Sequence, residues 1–357
     1  MTLLPSYNVE INQVTDNDVN DYNPDVSNYG DIVWEYEYSA TDIDLHYNSF
    51  IDEERIIANS TANEDYADIS SLGHVAFETE YAPGDRNIVY YDYFTDSTTV
   101  VANSANNEIN PQLTNNHIVY EYEYAPGDWD IRLYDIDDAT TIDIANSINN
   151  EYSPQIAGDY VVYQSEYAEG NNDIYRYDIA TGETVTIAAS ANNEFDALVS
   201  ESGHVVYEYE YAPGDIDIRF YDNLTGQTNT LAASGYDEVN ADIAGDYVTW
   251  QAWDGNDWEI YRYSHYNGQT EQITDNEVDD YNAQVSDMGY VVWEHQYSDY
   301  DSDVYLFTGG STGTVELGNS IYDEYNPQIA GDRVTWQAWD GNDWEIYSAE
   351  VSVVDAI

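Results

Sequence analysis

A segment that recurs eight times along the chain is the feature that most limits its fold. The stretch Glu324-Tyr-Asn-Pro-Gln-Ile-Ala-Gly-Asp returns as Glu151-Tyr-Ser-Pro-Gln-Ile-Ala-Gly-Asp. Weaker copies begin at Asp21, Glu64, Glu108, Glu194, Glu238 and Asp280, so that the period is 42 to 44 residues. A regular period of this length is typical of proteins in which each repeat is one supersecondary unit.

Each repeat contains the pattern of four short strands. Apolar and polar residues alternate with a period of two between Gly, Asp and Asn turns, which is a strand signature. Examples of the four strands are Pro154–Ala157, Val119–Tyr124, Asp173–Tyr177 and Thr184–Ile187. No helical period is sustained over ten residues. Four strands per repeat predict propeller blades, because radial repetition buries both faces of every sheet. We therefore predict an all-β fold, an eight-bladed β-propeller of four-stranded blades in one domain of residues 1–357.

The two ends of the chain indicate how the ring closes. Residues 9–15 resemble the fourth strand of a repeat, as at 271–274, but they precede the first repeat. The last repeat has three clear strands and a short tail, 351–354. We expect the N-terminal strand to complete the last blade and so to cover two exposed sheet edges.

The repeat resembles a known family, the TolB-type, WD-repeat-like propellers of bacteria and archaea. The resemblance rests on Asn326-Pro-Gln-Ile-Ala-Gly-Asp-Arg-Val-Thr-Trp336 and on Trp339-Asp-Gly-Asn-Asp-Trp-Glu-Ile-Tyr347, which has a near-identical copy at 253–261. It covers essentially the whole chain. It implies the propeller fold, whereas such propellers serve as binding platforms, assembly scaffolds and occasionally enzymes.

The charge of the chain restricts its partners. Asp and Glu number 71 against 7 Lys and Arg, which gives a net charge of −64. Nucleic acid and anionic membranes both require a basic surface, so neither is an expected partner. No apolar run is long enough to insert into a membrane, and the absence of Cys excludes thiolate metal sites. We expect cations, proteins or carbohydrates as partners, with a homo-oligomer or surface assembly as a further option.

The acid excess also bears on location. It fits a halophilic habitat, and it equally fits secretion into a calcium-containing medium. We expect an extracellular or cell-surface protein in either case, although no signal peptide is visible at the start of the sequence.

Acidic residues recur at fixed positions of the repeat. Every repeat opens with Asp or Glu after an Asn or Asp, and a second acidic set occupies the turn between the second and third strands. Both sets should crowd one rim of the disc. Oxygen-rich turns of this kind are suited to Ca²⁺, although Asp, Asn and Gly are also ordinary turn residues. The candidate Ca²⁺ ligands are Asp254, Asn256, Asp257, Asp340, Asn342, Asp343, Asp299, Asp301, Asp85, Asp128 and Asp215.

A third repeated position lies in the second strand and is always Glu or Gln. Its members are Glu35, Glu78, Glu121, Gln164, Glu208, Gln251, Glu294 and Gln337. A middle strand of a propeller is covered on both faces, so these side chains need hydrogen-bond partners. We expect a ladder of bonds to Tyr hydroxyls, and a catalytic carboxylate pair is the alternative. The six His residues show no metal-ligand spacing.

The sequence predicts a non-enzymatic extracellular or surface propeller that binds or scaffolds, stabilised by calcium and capable of self-assembly. Trp253, Trp258, Trp339 and Trp344 are candidates for stacking on sugar rings or docking a protein, with packing between blades as the alternative. The other function we consider is a calcium-dependent polysaccharide lyase or glycoside hydrolase. An enzyme should have one blade that departs from the repeat, and blade seven, with His295 and residues 299–303, comes nearest. No catalytic residue is assigned from the sequence.

Overall fold

A computed structural model describes residues 6–50, 54–168, 170–298, 301–309, 313–318 and 320–354. The described residues form 32 strands and no helix. These strands build eight sheets of four antiparallel strands each. No helix that could span a membrane is found among the described residues.

Each sheet is one blade, and its strands follow from the central channel outward. The innermost strands are β2 (Asp21–Val26), β6 (Asn63–Ile69), β10 (Glu108–Leu113), β14 (Glu151–Ala157), β18 (Glu194–Val199), β22 (Glu238–Ala244), β26 (Asp280–Val285) and β30 (Glu324–Ala330). The second strands are β3 (Ile32–Ser39), β7 (Val75–Ala82), β11 (His117–Ala125), β15 (Tyr160–Ala168), β19 (Val205–Ala212), β23 (Tyr247–Trp253), β27 (Val291–Ser298) and β31 (Arg333–Trp339).

The outer half of each blade consists of a third and a fourth strand. The third strands are β4 (Asp42–Asn48), β8 (Asp85–Asp92), β12 (Asp128–Asp135), β16 (Asn171–Asp178), β20 (Asp215–Asp222), β24 (Trp258–Ser264), β28 (Asp301–Phe307) and β32 (Trp344–Val354). The fourth strands are β5 (Arg55–Ala58), β9 (Ser97–Ala102), β13 (Thr140–Ala145), β17 (Glu183–Ala188), β21 (Gln227–Ala232), β25 (Gln269–Gln272), β29 (Thr314–Glu316) and β1 (Ser6–Gln13).

The N-terminal strand closes the ring. Strand β1 pairs antiparallel with β32, in a register that runs from Ser6 opposite Val354 to Gln13 opposite Tyr347. The last blade therefore has the order β1-β32-β31-β30, and the chain is an eight-bladed β-propeller. The predicted fold class and its closure are confirmed. The tail that looked separate in the sequence continues the third strand, which is 11 residues long.

The core lies between the blades and is built from one aromatic position of the second strand. Its members are Trp34, Phe77, Tyr120, Tyr163, Tyr207, Trp250, Trp293 and Trp336, all of them buried. Each apolar cluster combines residues of two consecutive blades, as where Val33 of β3 packs in one cluster with Phe77 of β7. Burial of aromatic side chains on this scale supplies much of the stability of the fold.

A bulge in every innermost strand joins each blade to the one before it. The residue at the bulge has a positive φ of 46° to 55°, and its members are Asn23, Tyr66, Asn110, Ser153, Asp196, Asn240, Asn282 and Asn326. Among residues other than Gly, Asn and Asp adopt this left-handed conformation most readily. In seven junctions the backbone N–H at this position donates to the Glu or Gln of the preceding blade's second strand.

This arrangement corrects the prediction of a ladder to Tyr hydroxyls. The repeated Glu or Gln accepts from backbone N–H groups and Asn side chains, as where Nδ2 of Asn110 donates to Glu121 at 2.9 Å, and Glu78 also accepts from Arg86. Burial raises the pKa of Glu208 to about 8 and that of Glu294 to about 7. The position joins consecutive blades at seven of the eight junctions, and this role explains why it is repeated.

Candidate functional site

The two Asp-Gly-Asn-Asp turns separate the predicted Ca²⁺ ligands into different roles. Oδ1 of Asp254 accepts hydrogen bonds from the backbone N–H of Asn256 and Asp257, at 2.7 and 3.2 Å. These bonds hold the pKa of Asp254 below its usual range. Asn256 is exposed, whereas Asp257 is buried beneath the turn.

The copy of this turn in the last blade has the same arrangement. Oδ1 of Asp340 accepts from the N–H of Asn342 and of Asp343, at 2.7 and 3.1 Å, and Asp343 is buried. The first Asp of each turn therefore stabilises the turn itself, while the last Asp points away from solvent.

The other predicted ligands lie at the start of third strands. Asp85, Asp128, Asp215 and Asp301 are half-buried at four separate blades. They do not come together in one site. Asp299 lies outside the described residues.

The two acidic sets do meet on one rim, as the sequence predicts. The Asn or Asp that precedes each repeat accepts a hydrogen bond from the backbone of the preceding blade's turn in seven junctions, at 3.0 to 3.3 Å. The acid that opens each repeat is buried in all eight blades. Glu64, for example, accepts bonds from the hydroxyl and the N–H of Ser60. Both positions therefore shape the loops that join consecutive blades.

One acidic group has the geometry of a metal site. Asp340, Asp343 and Glu345 each place a carboxylate oxygen within 4.8 Å of the others. Oδ2 of Asp343 and Oε2 of Glu345 are buried and have no hydrogen-bond partner among the described residues. Burial, followed by the neighbouring carboxylates Asp343 and Asp340, raises the pKa of Glu345. A set of oxygen donors alone suits a hard divalent cation such as Ca²⁺, Mg²⁺ or Mn²⁺.

The same pattern recurs between blades six and seven. Within the described part of the chain, both carboxylate oxygens of Asp257 lack a hydrogen-bond partner. Glu259 has a partner for one of its two oxygens. Asn276 links this pair to the next blade, because its N–H donates to Glu259 at 2.7 Å and its Nδ2 to Asp280 at 2.6 Å. The negative charges of Asp280 and Asp257, after burial, raise the pKa of Glu259.

Blade seven departs from the repeat directly beside this pair. His295 follows the repeated Glu294, where the other blades have Tyr, Thr, Ser or Ala. Nδ1 of His295 lies 2.6 Å from Oδ1 of Asp280, which is fully buried and also accepts from Nε1 of Trp293.

Two Tyr residues complete the surroundings of His295. The rings of Tyr297 and Tyr305 lie 4.5 and 5.0 Å from the imidazole, centroid to centroid, and their hydroxyls are 2.6 Å apart. Tyr297 is 49% exposed, so the cluster is open to solvent. Burial raises the pKa of Tyr305, which keeps its hydroxyl protonated. An imidazole held by a buried carboxylate beside phenol groups is equipped for general acid–base chemistry.

The structure also assembles a His-containing group that the sequence did not reveal. His204, Asp222 and His265 place ligating atoms within 4.8 Å of one another, and the two imidazole rings are 4.6 Å apart. His204 and His265 occupy different positions of two successive repeats, so no fixed spacing indicates their contact. Nδ1 of His204 already accepts from the N–H of Asn223, at 3.1 Å.

The central channel is lined by amide and carboxyl groups of the innermost strands. It contains a cavity of about 580 Å³ to which Asp25, Asp68 and Asp242 contribute. Burial and the Asp25 charge raise the pKa of Asp68 well above its ordinary value, and burial raises that of Asp25 to about 6. Each also accepts a backbone N–H of the next blade, because Ile69 donates to Asp25 and Leu113 donates to Asp68.

Comparisons with known proteins find similarity in structure alone. No family model and no curated protein matches the sequence. A prolyl endopeptidase is 10% identical to this chain, with a TM-score of 0.65. The match covers 95% of this chain and 50% of the endopeptidase, so this chain spans half the length of that protein. The propeller domain of the Trilobed protease from Pyrococcus furiosus is 13% identical (TM-score 0.61), covering 85% of this chain and 99% of that one. An oligogalacturonate lyase in complex with manganese is 9% identical (TM-score 0.59), covering 98% and 97%.

These similar structures contradict the predicted non-enzymatic scaffold. They are enzymes or the propeller domain of one, and they favour the alternative considered from the sequence, a lyase or hydrolase. At such low identity the likeness itself shows only the propeller fold, so the argument for an activity has to rest on the side chains. The predicted Trp candidates contact one another in pairs, with Trp253 and Trp258 in edge-on contact at 5.6 Å, and Trp339 and Trp344 alike.

Proposed function

We propose that this propeller is a calcium-dependent polysaccharide lyase that cleaves a polymer containing uronic acids. The observation that carries the proposal is the bond between His295 and buried Asp280, beside Asp257 and Glu259, which have three carboxylate oxygens without a hydrogen-bond partner among the described residues. A base and a cation-binding group are thus adjacent at the one blade whose second strand departs from the repeat. The full-length match to an oligogalacturonate lyase supports the same choice.

The chemistry requires a base and an acid. In β-elimination the base removes the proton at C5 of the uronate, the C4–O bond breaks, and a C4–C5 double bond forms. Asp280 holds Nδ1 of His295, which leaves Nε2 to accept the C5 proton. The hydroxyl of Tyr297, hydrogen-bonded to Tyr305, is placed to protonate the departing oxygen.

A cation is needed because both the protein and its substrate are anionic. Asp257 and Glu259 would hold it, and their oxygen donors favour Ca²⁺. When bound, it neutralises the uronate carboxylate and so makes the C5 proton more acidic. The proposal extends to an extracellular location, which the acidic composition supports and where such polymers are found, and to membership of the TolB-type propellers.

The test is a cleavage assay on polyuronates, with the unsaturated product detected by its ultraviolet absorbance. We expect product with Ca²⁺, none after chelation, and a loss of at least about 100-fold in His295→Gln, the usual contribution of a general base. His117→Gln is the matched control, since His117 lies in another blade, where its Nε2 is 3.8 Å from Asp135. Product formation that is equal in His295→Gln and wild type would contradict the assigned site.

The channel supports a second candidate, a glycoside hydrolase. Asp25 and Asp68 interact in a cavity lined by amides that suit sugar hydroxyls, and carboxyl pairs catalyse glycoside hydrolysis. Hydrolysis releases reducing ends without an unsaturated product. New reducing ends that lack ultraviolet absorbance and disappear in Asp68→Asn would favour this candidate over the lyase.

A further inference from the structure

The first residue of the third strand, or the residue just before it, presents an unpaired oxygen at every junction between blades. Each such atom is buried and has no hydrogen-bond partner among the described residues. The atoms are Oδ1 of Asp42, Asp85, Asp128, Asn171, Asp215, Asp257 and Asp301, and Oδ2 of Asp343. Buried polar atoms are normally hydrogen-bonded, and each exception requires an explanation. An exception repeated eight times is a property of the repeat.

Two further positions of the repeat, acidic except at Asn87, form a group with each of these atoms. One lies two residues later in the same strand, and the other opens the next blade. The eight resulting groups are Asp42-Asp44-Glu64, Asp85-Asn87-Glu108, Asp128-Asp130-Glu151, Asn171-Asp173-Glu194, Asp215-Asp217-Glu238, Asp257-Glu259-Asp280, Asp301-Asp303-Glu324 and Asp343-Glu345-Asp21.

At four of the junctions the second position of the group is also a buried carboxylate with an unpaired oxygen. Asp44, Glu259, Asp303 and Glu345 are at most 4% exposed, and each has one carboxylate oxygen without a partner in the described part of the protein. Uncompensated charge in such surroundings is strongly unfavourable. Protonation or a bound cation can relieve it. An Arg contacts the group at the junction of blades five and six, where Nη2 of Arg219 lies 2.7 Å from Asp217.

At the last junction, hydrogen bonds and distances bring the members of one group together. Asn17 donates from its N–H to Glu345 and from its Nδ2 to Asp21, both at 2.8 Å. Glu345 and Asp343 also belong to the group whose carboxylate oxygens lie within 4.8 Å of one another. The three members at this junction are therefore neighbours.

We propose that the blade junctions form a ring of divalent-cation sites, one at each junction, that hold consecutive blades together. Carboxylate and amide oxygens are the donors present, and Ca²⁺ accepts six to eight of them with flexible geometry. The ring extends the cation group of the proposed active site to the whole propeller. It requires no turnover, so it stands whether or not the protein is a lyase.

Six of the Ca²⁺ ligands predicted from the sequence belong to these groups, namely Asp85, Asp128, Asp215, Asp257, Asp301 and Asp343. The exposed residues of the turns, such as Asp254 and Asn256, are replaced by inward-facing residues of the third strand and of the following blade. A Trp separates the two ligand residues of the third strand at three of the junctions. These are Trp129 between Asp128 and Asp130, Trp258 between Asp257 and Glu259, and Trp344 between Asp343 and Glu345. This position makes a luminescent cation a direct probe.

The experiment counts bound ions by native mass spectrometry after dialysis against Ca²⁺, with Mg²⁺ and Na⁺ at equal ionic strength for comparison. Eight Ca²⁺ per chain are expected, and any count from four to eight supports the ring. Glu345→Gln and Asp343→Asn should each remove one ion. Glu183→Gln, which removes the same charge from an exposed residue of β17, should leave the count unchanged.

Terbium luminescence provides a second readout that does not depend on the count. Tb³⁺ should displace Ca²⁺ and emit on excitation of Trp, with loss of part of the emission in Trp344→Phe. Fewer than four Ca²⁺ per chain would overturn the proposal, as would an ion count that Glu345→Gln leaves unchanged in folded protein. A failed lyase assay with eight bound ions would remove the proposed function and leave the ring intact.

Discussion

The backbone N–H of Asn240 donates to Oε1 of Glu208 in the preceding blade, at 2.6 Å. In two other blades the residue that receives the corresponding bond is Gln, and Oε1 of Gln251 accepts from the N–H of Asn282 at 3.1 Å. Glu208 is the less favourable choice, because burial first, and then the charges of Asp196 and Asp237, raise its pKa to about 8.

Replacing Glu208 by Gln should therefore stabilise the protein at alkaline pH. Since the folded-state pKa of Glu208 lies above its ordinary value, the folded protein holds this proton more tightly than the unfolded chain. The contribution of Glu208 to stability is complete below its ordinary pKa of 4.5, and it is lost as pH rises to about 8. We expect the gain from Glu208→Gln to grow as pH rises from about 4.5 and to level off at about 1–3 kcal/mol above pH 8. Denaturant titrations across pH measure the difference, and a gain that is equal at all pH values would contradict the assignment.

Removal of residues 1–15 should open the ring. Strand β1 covers β32 along eight residue pairs, and Tyr7 and Val9 pack against the core of the last blade. The loss of this buried surface should cost more than about 3 kcal/mol and expose a strand edge to aggregation. Thermal melting and light scattering test this, with removal of residues 1–5 as the control. A truncated chain that melts like the parent would show that β1 does not close the ring.

Ser153→Asn should stabilise the fourth blade. Ser153 adopts a φ of 50° at the bulge where most other blades have Asn, and its N–H still donates to Glu121 at 2.9 Å. Asn tolerates this conformation better and should add a side-chain bond to Gln164, as Asn240 does to Gln251 at 3.1 Å. We expect a gain of about 0.5–1 kcal/mol. Chemical denaturation measures it, with Ser147→Asn, outside the bulge, expected to bring no gain.

The fold could be predicted from the sequence because every strand is repeated eight times. The alternation in residues 117–125 and the excess strand before Asp21 were sufficient to infer blades and closure. The site was less accessible. Asp254 and Asp257 belong to one short turn, yet Asp254 stabilises the turn and Asp257 is buried. Sequence spacing does not show which side of a turn a carboxylate faces.

Contacts between blades explain the remaining differences. The partners of Glu121 lie in its own blade and in the next one, 11 and 32 residues away, and His204 meets His265 across 61 positions. Neither distance corresponds to a local motif. His295 could be identified from the sequence as a departure from the repeat, but its bond to Asp280 depends on the pairing of β26 with β27.

Turnover by His295→Tyr is the most direct test of the catalytic base assigned to blade seven. This change restores the residue that blades one, three and five have at the same position, Tyr36, Tyr122 and Tyr209. It should leave Ca²⁺ binding and the melting temperature close to those of wild type, since the repeat already accommodates Tyr there. We predict that the folded, calcium-loaded variant forms no unsaturated product from a polyuronate that the wild type cleaves. Cleavage at the wild-type rate would contradict the central claim that blade seven holds the catalytic base.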